Sequence, residues 1–257
     1  MGARDMKVSI ITAVYNRSDT VSNAIESVLS QTYTDIEYIV VDGMSNDGTD
    51  RVVSQYSDRI FHVVREKDRG IYDALNKGIR LASGEVIGFL HADDFLFDCN
   101  VVSRIVQEFR RESRLTGVYG DLDYVDSKDP SKLARRWISG GYDVRKFRYG
   151  WMPPHPTVYL RKACYDAHGV FREDLGSAAD YELMLRMLFF AKIPMAYIPE
   201  TLVCMRTGGA SNASLLNRLK ANRQDARAWI VNGTRPPLGL RILKPLRKLS
   251  QYFRSQR

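Results

Sequence analysis

The first 110 residues alternate between short apolar runs and segments whose apolar residues recur at helical spacing. The apolar runs are four to eight residues long and rich in Val and Ile, which is typical of buried strands. Strands are expected at 7–14, 36–41, 61–64 and 85–90, and the clearest helices at 21–29, 71–81 and 101–109. This alternation predicts an α/β fold with a mainly parallel sheet and helices on its faces.

Polar residues follow each expected strand directly, at 15–16, 42–43, 66–68 and 91–94. In open parallel sheets, ligands bind in the crevice outside the carboxyl ends of the strands. We therefore expect these four segments to line one binding site. Beyond residue 120 the alternation is lost, and a Gly-Gly pair, a Pro-rich stretch at 153–156 and a helical pattern at 181–190 indicate an α+β region built on the same core.

Composition narrows the class of protein and its compartment. Hydrophobic residues make up 44% of the chain, enough for one sizeable core. Its three cysteines are too few and too far apart for a disulfide framework or a Cys-based metal site, so a reducing compartment is expected. Because the sequence shows neither a signal-peptide pattern nor a membrane-spanning apolar run, we expect a cytoplasmic protein, or one on the cytoplasmic face of a membrane.

Adjacent carboxylates follow the strand expected at 85–90. Asp93 and Asp94 supply the oxygen ligands that Mg²⁺ and Mn²⁺ prefer, and these ions usually bind through one or two carboxylates plus substrate phosphates. Taken alone, such a pair is equally consistent with a turn or a helix cap.

Ordered motifs around this pair resemble a known enzyme family. They are Thr-Ala-Val-Tyr-Asn at 12–16, Val-Asp-Gly-Met-Ser-Asn-Asp-Gly at 41–48, Asp-Arg-Gly-Ile-Tyr-Asp-Ala-Leu-Asn-Lys-Gly at 68–78, His-Ala-Asp-Asp at 91–94 and Gly-Ser-Ala-Ala-Asp-Tyr-Glu-Leu-Met-Leu-Arg at 176–186. Together they resemble family 2 of the inverting GT-A glycosyltransferases, in the soluble bacterial branch that assembles surface polysaccharides and glycolipids. The resemblance spans residues 7–190. It implies a GT-A fold, with a Rossmann-like sheet and a C-terminal α+β acceptor region.

The resemblance also implies a donor site and a metal. The implied contacts of the nucleotide-sugar donor are Thr12, Ala13, Tyr15, Asn16, Asp42, Asp68, Arg69, Asp73, Asn76, His91, Ala92 and Arg206. Within this set, Asp42 matches the acid that meets the nucleobase edge, and Arg206 lies in a loop that closes over the diphosphate. Asp93, with help from Asp94, matches the carboxylates that hold a divalent cation, Mn²⁺ or Mg²⁺.

Two positions depart from the family pattern. His91 stands where the first Asp of the D-x-D element is often found, and we consider a ribose or phosphate contact, a metal ligand and a plain strand-end residue. Ala179 replaces the Glu of the family's Glu-Asp pair, whereas Asp180 keeps the Asp. The resemblance makes Asp180 the general base, although an Asp at a helix start is also an ordinary capping residue.

On the acceptor side, His155 matches a His that recurs before a strand in this branch, and Trp151 is a candidate for stacking on a sugar face. A structural turn and ordinary packing are the competing interpretations of these two residues.

The net charge of +8 comes from the C-terminus, where residues 213–257 hold 11 Lys and Arg against the single acid Asp225. We expect a glycosyltransferase domain at 1–212, divided near residue 125 into donor-binding and acceptor parts, followed by a basic helical extension at 213–257. From residue 236 onward this extension is amphipathic, which favours an anionic membrane surface as a partner. Packing on the protein itself or on a partner subunit is the alternative.

The expected function is transfer of a sugar to a hydroxyl of a glycan or lipid-linked acceptor, with inversion. A dehydrogenase is excluded because the first strand is followed by Tyr-Asn-Arg-Ser rather than by G-x-G-x-x-G. A nucleotidyltransferase is disfavoured because the same turn lacks a Gly-rich, basic loop. A catalytically silent nucleotide-sugar-binding protein remains as the alternative, and nucleic acid is not expected as a partner.

Overall fold

A mixed sheet lies at the centre of the protein, and the computed structural model describes residues 6–208 and 224–237. The strands are β1 (Val8–Val14), β2 (Ile36–Asp42), β3 (His62–Arg65), β4 (Val86–Phe89), β5 (Phe95–Leu96), β6 (Gly117–Val125), β7 (Leu133–Trp137), β8 (Tyr159–Arg161) and β9 (Met195–Arg206). The helices are α1 (Val21–Leu29), α2 (Thr49–Ser54), α3 (Ile71–Leu81), α4 (Val101–Arg111), α5 (Lys162–His168), α6 (Ala179–Met184) and α7 (224–231). Short 3-10 turns occupy Val144–Tyr149, His155–Thr157 and Glu173–Ala178, and a π-helical turn, Leu185–Phe190, continues α6.

The strand order is β3-β2-β1-β4-β8-β6-β9-β5, with β7 paired to β6. The first four strands pair only in parallel with one another, as β1 with β2, β1 with β4 and β2 with β3. This pairing confirms the parallel sheet predicted from the alternation. Beyond β4 the sheet becomes mixed, because β8 is inserted antiparallel between β4 and β6 while β6 and β9 run parallel. The second half of the chain therefore extends the first sheet and does not form a separate one.

Helices cover both faces of this sheet, forming three layers. One apolar cluster joins the strands to α3, α5 and α6, and the other joins them to α1, α2 and α4. Strand β1 is buried along its whole length, as its unbroken apolar run predicts for a parallel strand covered on both faces.

The pairing of β4 with β8 determines which loops meet at the cleft. These strands are antiparallel, with Ile87 opposite Leu160, so the residues after β4 lie beside the residues before β8. Gly88 allows the close approach, since a Cβ at this position would lie 2.1 Å from the Tyr159 ring. The fold thus places His91 next to His155.

Candidate active site

Two strand-end loops form one rim of the cleft. The loop after β1 and the loop after β2 are joined by hydrogen bonds from the Asn16 amide to Ser45 Oγ and from the Asn46 amide to Asn16 Oδ1, both 2.9 Å. Asn16 and Met44 adopt left-handed backbone conformations, with φ of 51° and 66°. Tyr15, on the same rim, is 58% exposed. The rim is therefore a connected structure that presents an aromatic side chain to solvent.

Beneath this rim lies Asp42, which is 1% exposed. Its Oδ1 accepts a hydrogen bond from the Ser45 amide at 2.9 Å, and its Oδ2 accepts one from Arg65 Nε at 3.2 Å. Sequence reasoning missed Arg65, which ends β3 one residue before the polar segment we considered. Thr12 is also buried, and its hydroxyl hydrogen-bonds to Tyr38 at 3.0 Å. Thr12 thus supports the loop from below and does not face the cleft.

The loop before α3 closes against the second strand end. A Cβ at Gly43 would lie 2.2 Å from Asp68 Oδ2. Only glycine at position 43 therefore leaves room for the Asp68 carboxylate where it lies. Arg69 pairs with Asp73 at 3.2 Å and with Glu173 at 2.9 Å. The predicted donor contacts Arg69 and Asp73 are therefore paired with protein groups in this structure.

Asn76, another predicted donor contact, faces away from the rim. Its amide nitrogen donates to the Phe171 carbonyl and its oxygen accepts from the Phe171 amide, both at 3.0 Å, and the residue is 2% exposed. The side chain fastens α3 to the segment that precedes α6. We therefore revise the role of Asn76 from a donor contact to a structural residue that connects two segments of the protein.

The acidic segment after β4 separates its two carboxylates. The Asp93 side chain is 33% exposed, and Arg17 Nε approaches it to 3.9 Å. Arg206 donates to the Asp93 carbonyl at 2.6 Å, so two guanidinium groups lie at this segment. Sequence reasoning missed Arg17, although it follows the Tyr-Asn pair directly.

Asp94 and Ala92 point into the protein. Asp94 Oδ1 accepts from the Arg206 amide at 3.2 Å, while Oδ2 is buried and has no hydrogen-bond partner within residues 6–208 and 224–237. Burial, reinforced by the negative charge of Asp93, raises the pKa of Asp94 well above its usual range. Of the two predicted metal ligands, only Asp93 is accessible from the cleft.

This donor set fits a divalent cation that is held jointly with a phosphorylated ligand. No group of three His, Cys, Asp or Glu side chains suited to a metal occurs in the described part of the chain. One accessible carboxylate is nevertheless enough for Mg²⁺ or Mn²⁺ when substrate phosphates complete the coordination. Asp93 would hold the ion, and Asp94 would fix the turn through Arg206.

A chain of close polar contacts connects this segment to α6. His91 Nε2 and His155 Nε2 are 2.9 Å apart, and His155 Nδ1 lies 3.2 Å from Asp180 Oδ2. Burial lowers the pKa of both imidazoles from 6.5 to about 4. Tyr72 lies near Asp180, and the pKa of Tyr72 is raised well above 10.0, first by burial and then by the Asp180 charge. Tyr72 was missed, although it lies within the motif at 68–78.

Trp151 is 8% exposed and donates from Nε1 to the Ser139 carbonyl at 3.0 Å. It packs edge-on against Phe147 and Tyr119. The packing interpretation therefore fits this structure, and the residue offers no open face for stacking on a sugar.

Solved structures share this architecture. The fold matches Staphylococcus aureus TarS in complex with UDP-GlcNAc with a TM-score of 0.67 at 16% identity, covering 97% of this chain and 79% of that one. It matches the mannosyltransferase PcManGT from Pyrobaculum calidifontis, in complex with GDP-Man and Mn²⁺, with a TM-score of 0.65 at 17% identity, covering 97% and 70%. These likenesses show the GT-A fold.

The sequence pattern described as Glycosyl transferase family 2 matches residues 9–166, more than half of the chain. The chain belongs to glycosyl transferase family 2. This glycosyltransferase is 29% identical over 219 residues to an uncharacterised glycosyltransferase of Rickettsia typhi, covering 83% of this chain and 68% of that protein.

The described part of the predicted extension packs against the glycosyltransferase core. In α7, Trp229 Nε1 donates to the Tyr181 hydroxyl at 3.0 Å, and Asn232 after it donates to Glu182 at 3.1 Å. The amphipathic stretch at 238–257 lies outside the described residues. In the described part of the chain, every helix is too short or too polar to pass through a bilayer.

Proposed function

We propose that this glycosyltransferase moves a sugar from a nucleoside-diphosphate sugar to an acceptor hydroxyl with inversion at the anomeric carbon. The observation that carries the proposal is the closeness of Asp93 and Asp180, whose charges both act on His91. The first carboxylate lies among arginines, and the second lies on α6 and is reached through His155. A leaving diphosphate and a hydroxyl nucleophile require these two environments.

The donor side is supported by charge and by the structural neighbours. Arg17 and Arg206 bring positive charge to the Asp93 segment, and Tyr15 gives the rim that Asp42 supports an exposed aromatic face suited to a nucleobase. TarS is described in complex with UDP-GlcNAc and PcManGT with GDP-Man. A nucleotide sugar is therefore the donor class that we propose.

A divalent cation is proposed at Asp93, supported by the Mn²⁺ described with PcManGT. When bound, the ion would neutralise charge on the departing diphosphate. Arg17 and Arg206 would hold the phosphate oxygens in place.

Asp180 is proposed as the general base. Its carboxylate would take the acceptor hydroxyl proton while that oxygen bonds to the anomeric carbon and the bond to the diphosphate breaks on the opposite face. Such assistance is worth about 10² to 10⁴ in rate. The Tyr181 amide donates to Asp180 Oδ1 at 2.7 Å and His155 Nδ1 lies 3.2 Å from Oδ2, so both carboxylate oxygens have a partner that limits rotation before the acceptor arrives.

The acceptor we propose is a hydroxyl of a glycan or lipid-linked molecule, in cell-envelope polysaccharide or glycolipid assembly. An anionic membrane surface remains the proposed partner of residues 238–257, with the protein cytoplasmic or peripheral on the cytoplasmic face.

A thermal-shift screen of UDP- and GDP-sugars with Mn²⁺ will identify the donor, because a ligand that binds only the folded state raises Tm. ¹H NMR of the product then gives its anomeric configuration. Inverted product supports the proposal, and retained configuration contradicts it. Binding without nucleoside-diphosphate release, tested with a set of glycan and lipid-linked acceptors, would favour the silent binding protein instead.

A further inference from the structure

The chain of contacts from Asp180 through His155 ends on His91, a residue that belongs, by its position in the sequence, to the donor side. His91 stands at the first position of the acidic segment, two residues before Asp93. Its Nε2 points toward His155 Nε2 at 2.9 Å, and its Nδ1 is buried with no hydrogen-bond partner in the described part of the chain. The one hydrogen bond that the imidazole makes there therefore leads to the acceptor side.

The position of each proton follows from the carboxylate at one end. A carboxylate oxygen only accepts, so at the 3.2 Å contact with Asp180 Oδ2 it is His155 Nδ1 that carries the proton. A neutral imidazole has one N–H, so His155 Nε2 presents a lone pair toward His91. His91 must then donate from Nε2, because the two nitrogens lie 2.9 Å apart and one of them has to supply the proton.

We propose that His91 is a positioning residue for the acceptor-side base: it fixes the tautomer and orientation of His155, which in turn orients Asp180. This inference rests on the proposed role of Asp180. In this role His91 serves the acceptor side. The first acid of a D-x-D element, which would stand at the same position, would be expected to serve the donor side. An ionised Asp at 91 would have no proton to donate to His155, whereas a histidine at this position has one.

The chain crosses three parts of the fold, which explains how it resists rotation. His91 follows β4, His155 begins a 3-10 turn before β8, and Asp180 lies in the first turn of α6. The Tyr181 amide of α6 holds the other oxygen of the same carboxylate, donating to Asp180 Oδ1 at 2.7 Å. Removing the His91 donor leaves His155 Nε2 without its partner and frees the ring to turn.

Imidazole NMR tests the proposal without substrate. The 257-residue sequence has four histidines, so long-range ¹H–¹⁵N spectra at pH 7.5 can be assigned by single substitutions. We expect His155 in the Nδ1-protonated form, and we expect its signals to change in His91→Ala but not in His168→Ala, an exposed control. An Nε2-protonated His155, or one that is insensitive to His91→Ala, would overturn the proposal.

Kinetics of three variants at position 91 provide the second readout. His91→Gln retains an N–H donor near Nε2, whereas His91→Ala removes it and His91→Asp restores the acid of the D-x-D element. Because small displacements of a catalytic group can cost about 10²-fold, we expect kcat to fall about 10- to 100-fold in the Ala and Asp variants and to stay within about 3-fold in Gln. Affinity for UDP or GDP, whichever stabilises the wild type, should stay within about 3-fold in all three.

A second substitution in the chain separates coupled from independent roles. If the residues act as one unit, His91→Ala combined with His155→Ala should cost no more than the larger single effect. A His91→Asp variant as active as wild type, or a 10-fold loss of nucleotide affinity with unchanged kcat in His91→Ala, would contradict the proposal. If Asp180→Asn proves fully active, the proposed base is wrong. The NMR result still decides whether His91 fixes the tautomer of His155.

Discussion

The Asn76 side chain pairs with both backbone groups of Phe171, 95 positions away, through two hydrogen bonds of 3.0 Å. This contact joins α3, which follows the donor-side loop, to the segment that leads into α6 and Asp180. The two halves of the cleft are therefore connected by a side chain that the sequence motif assigned to the donor.

Replacing Asn76 with Ala should lower the free energy of unfolding by about 2–5 kcal/mol, because two buried backbone groups lose their partners at about 1–3 kcal/mol each. Nucleotide affinity should stay close to wild type, because the side chain does not face the donor rim. Urea unfolding and isothermal titration with UDP or GDP measure the two quantities. A stable variant that has lost nucleotide binding would return Asn76 to the donor site.

Asp42 and Asp50 offer a matched pair for testing the predicted nucleobase contact. Both carboxylates meet Arg65, at 3.2 and 3.5 Å, but only Asp42 is buried beneath the rim. We expect Asp42→Ala to weaken nucleotide affinity at least about 10-fold, roughly the 1–3 kcal/mol of a lost buried hydrogen-bond partner. Asp50→Ala should change affinity less than about 2-fold, as is usual for an exposed ion pair. Equal effects in the two variants would argue against a specific contact by Asp42.

Acidification should destabilise the protein through His155. Its pKa falls from 6.5 to about 4 on folding because burial disfavours the charged ring, so the unfolded chain binds a proton that the native state does not. Stability contributed by the neutral ring is complete above pH 6.5 and is lost progressively as the pH falls toward 4. Between pH 7 and 5, His155→Gln should lose about 1–2 kcal/mol less stability than wild type. Parallel urea titrations at both pH values check this difference, and identical pH slopes would contradict it.

Local patterns in the sequence predicted the first half of the fold closely. The helix expected at 71–81 is α3 (Ile71–Leu81), and the strand expected at 7–14 is β1 (Val8–Val14), because apolar spacing records which face of an element is buried. The order of strands after β4 could not be predicted in this way. β8 has three residues and β5 has two, too few for a period to show.

Within the site, sequence indicated which segments meet but not which way their side chains face. His91 and His155 were both candidates, yet their contact depends on β8 pairing antiparallel with β4, a tertiary choice that neither segment specifies alone. Burial of Thr12 and Trp151 likewise results from packing by residues distant in the chain. Tyr72 lies beside the predicted donor contact Asp73, but its closeness to Asp180 depends on how α3 and α6 pack, which the local pattern does not specify.

The proposed role of Asp180 is tested by comparing Asp180→Asn with Asp174→Asn, a nearby exposed acid paired with Arg172. Once the thermal-shift screen has identified the donor, release of nucleoside diphosphate from it gives kcat, and titration with UDP or GDP gives Kd. We predict that Asp180→Asn keeps its nucleotide Kd within about 3-fold while kcat falls about 10² to 10⁴-fold, and that Asp174→Asn resembles wild type in both. An Asp180→Asn enzyme with wild-type kcat would show that this carboxylate does not take the acceptor proton.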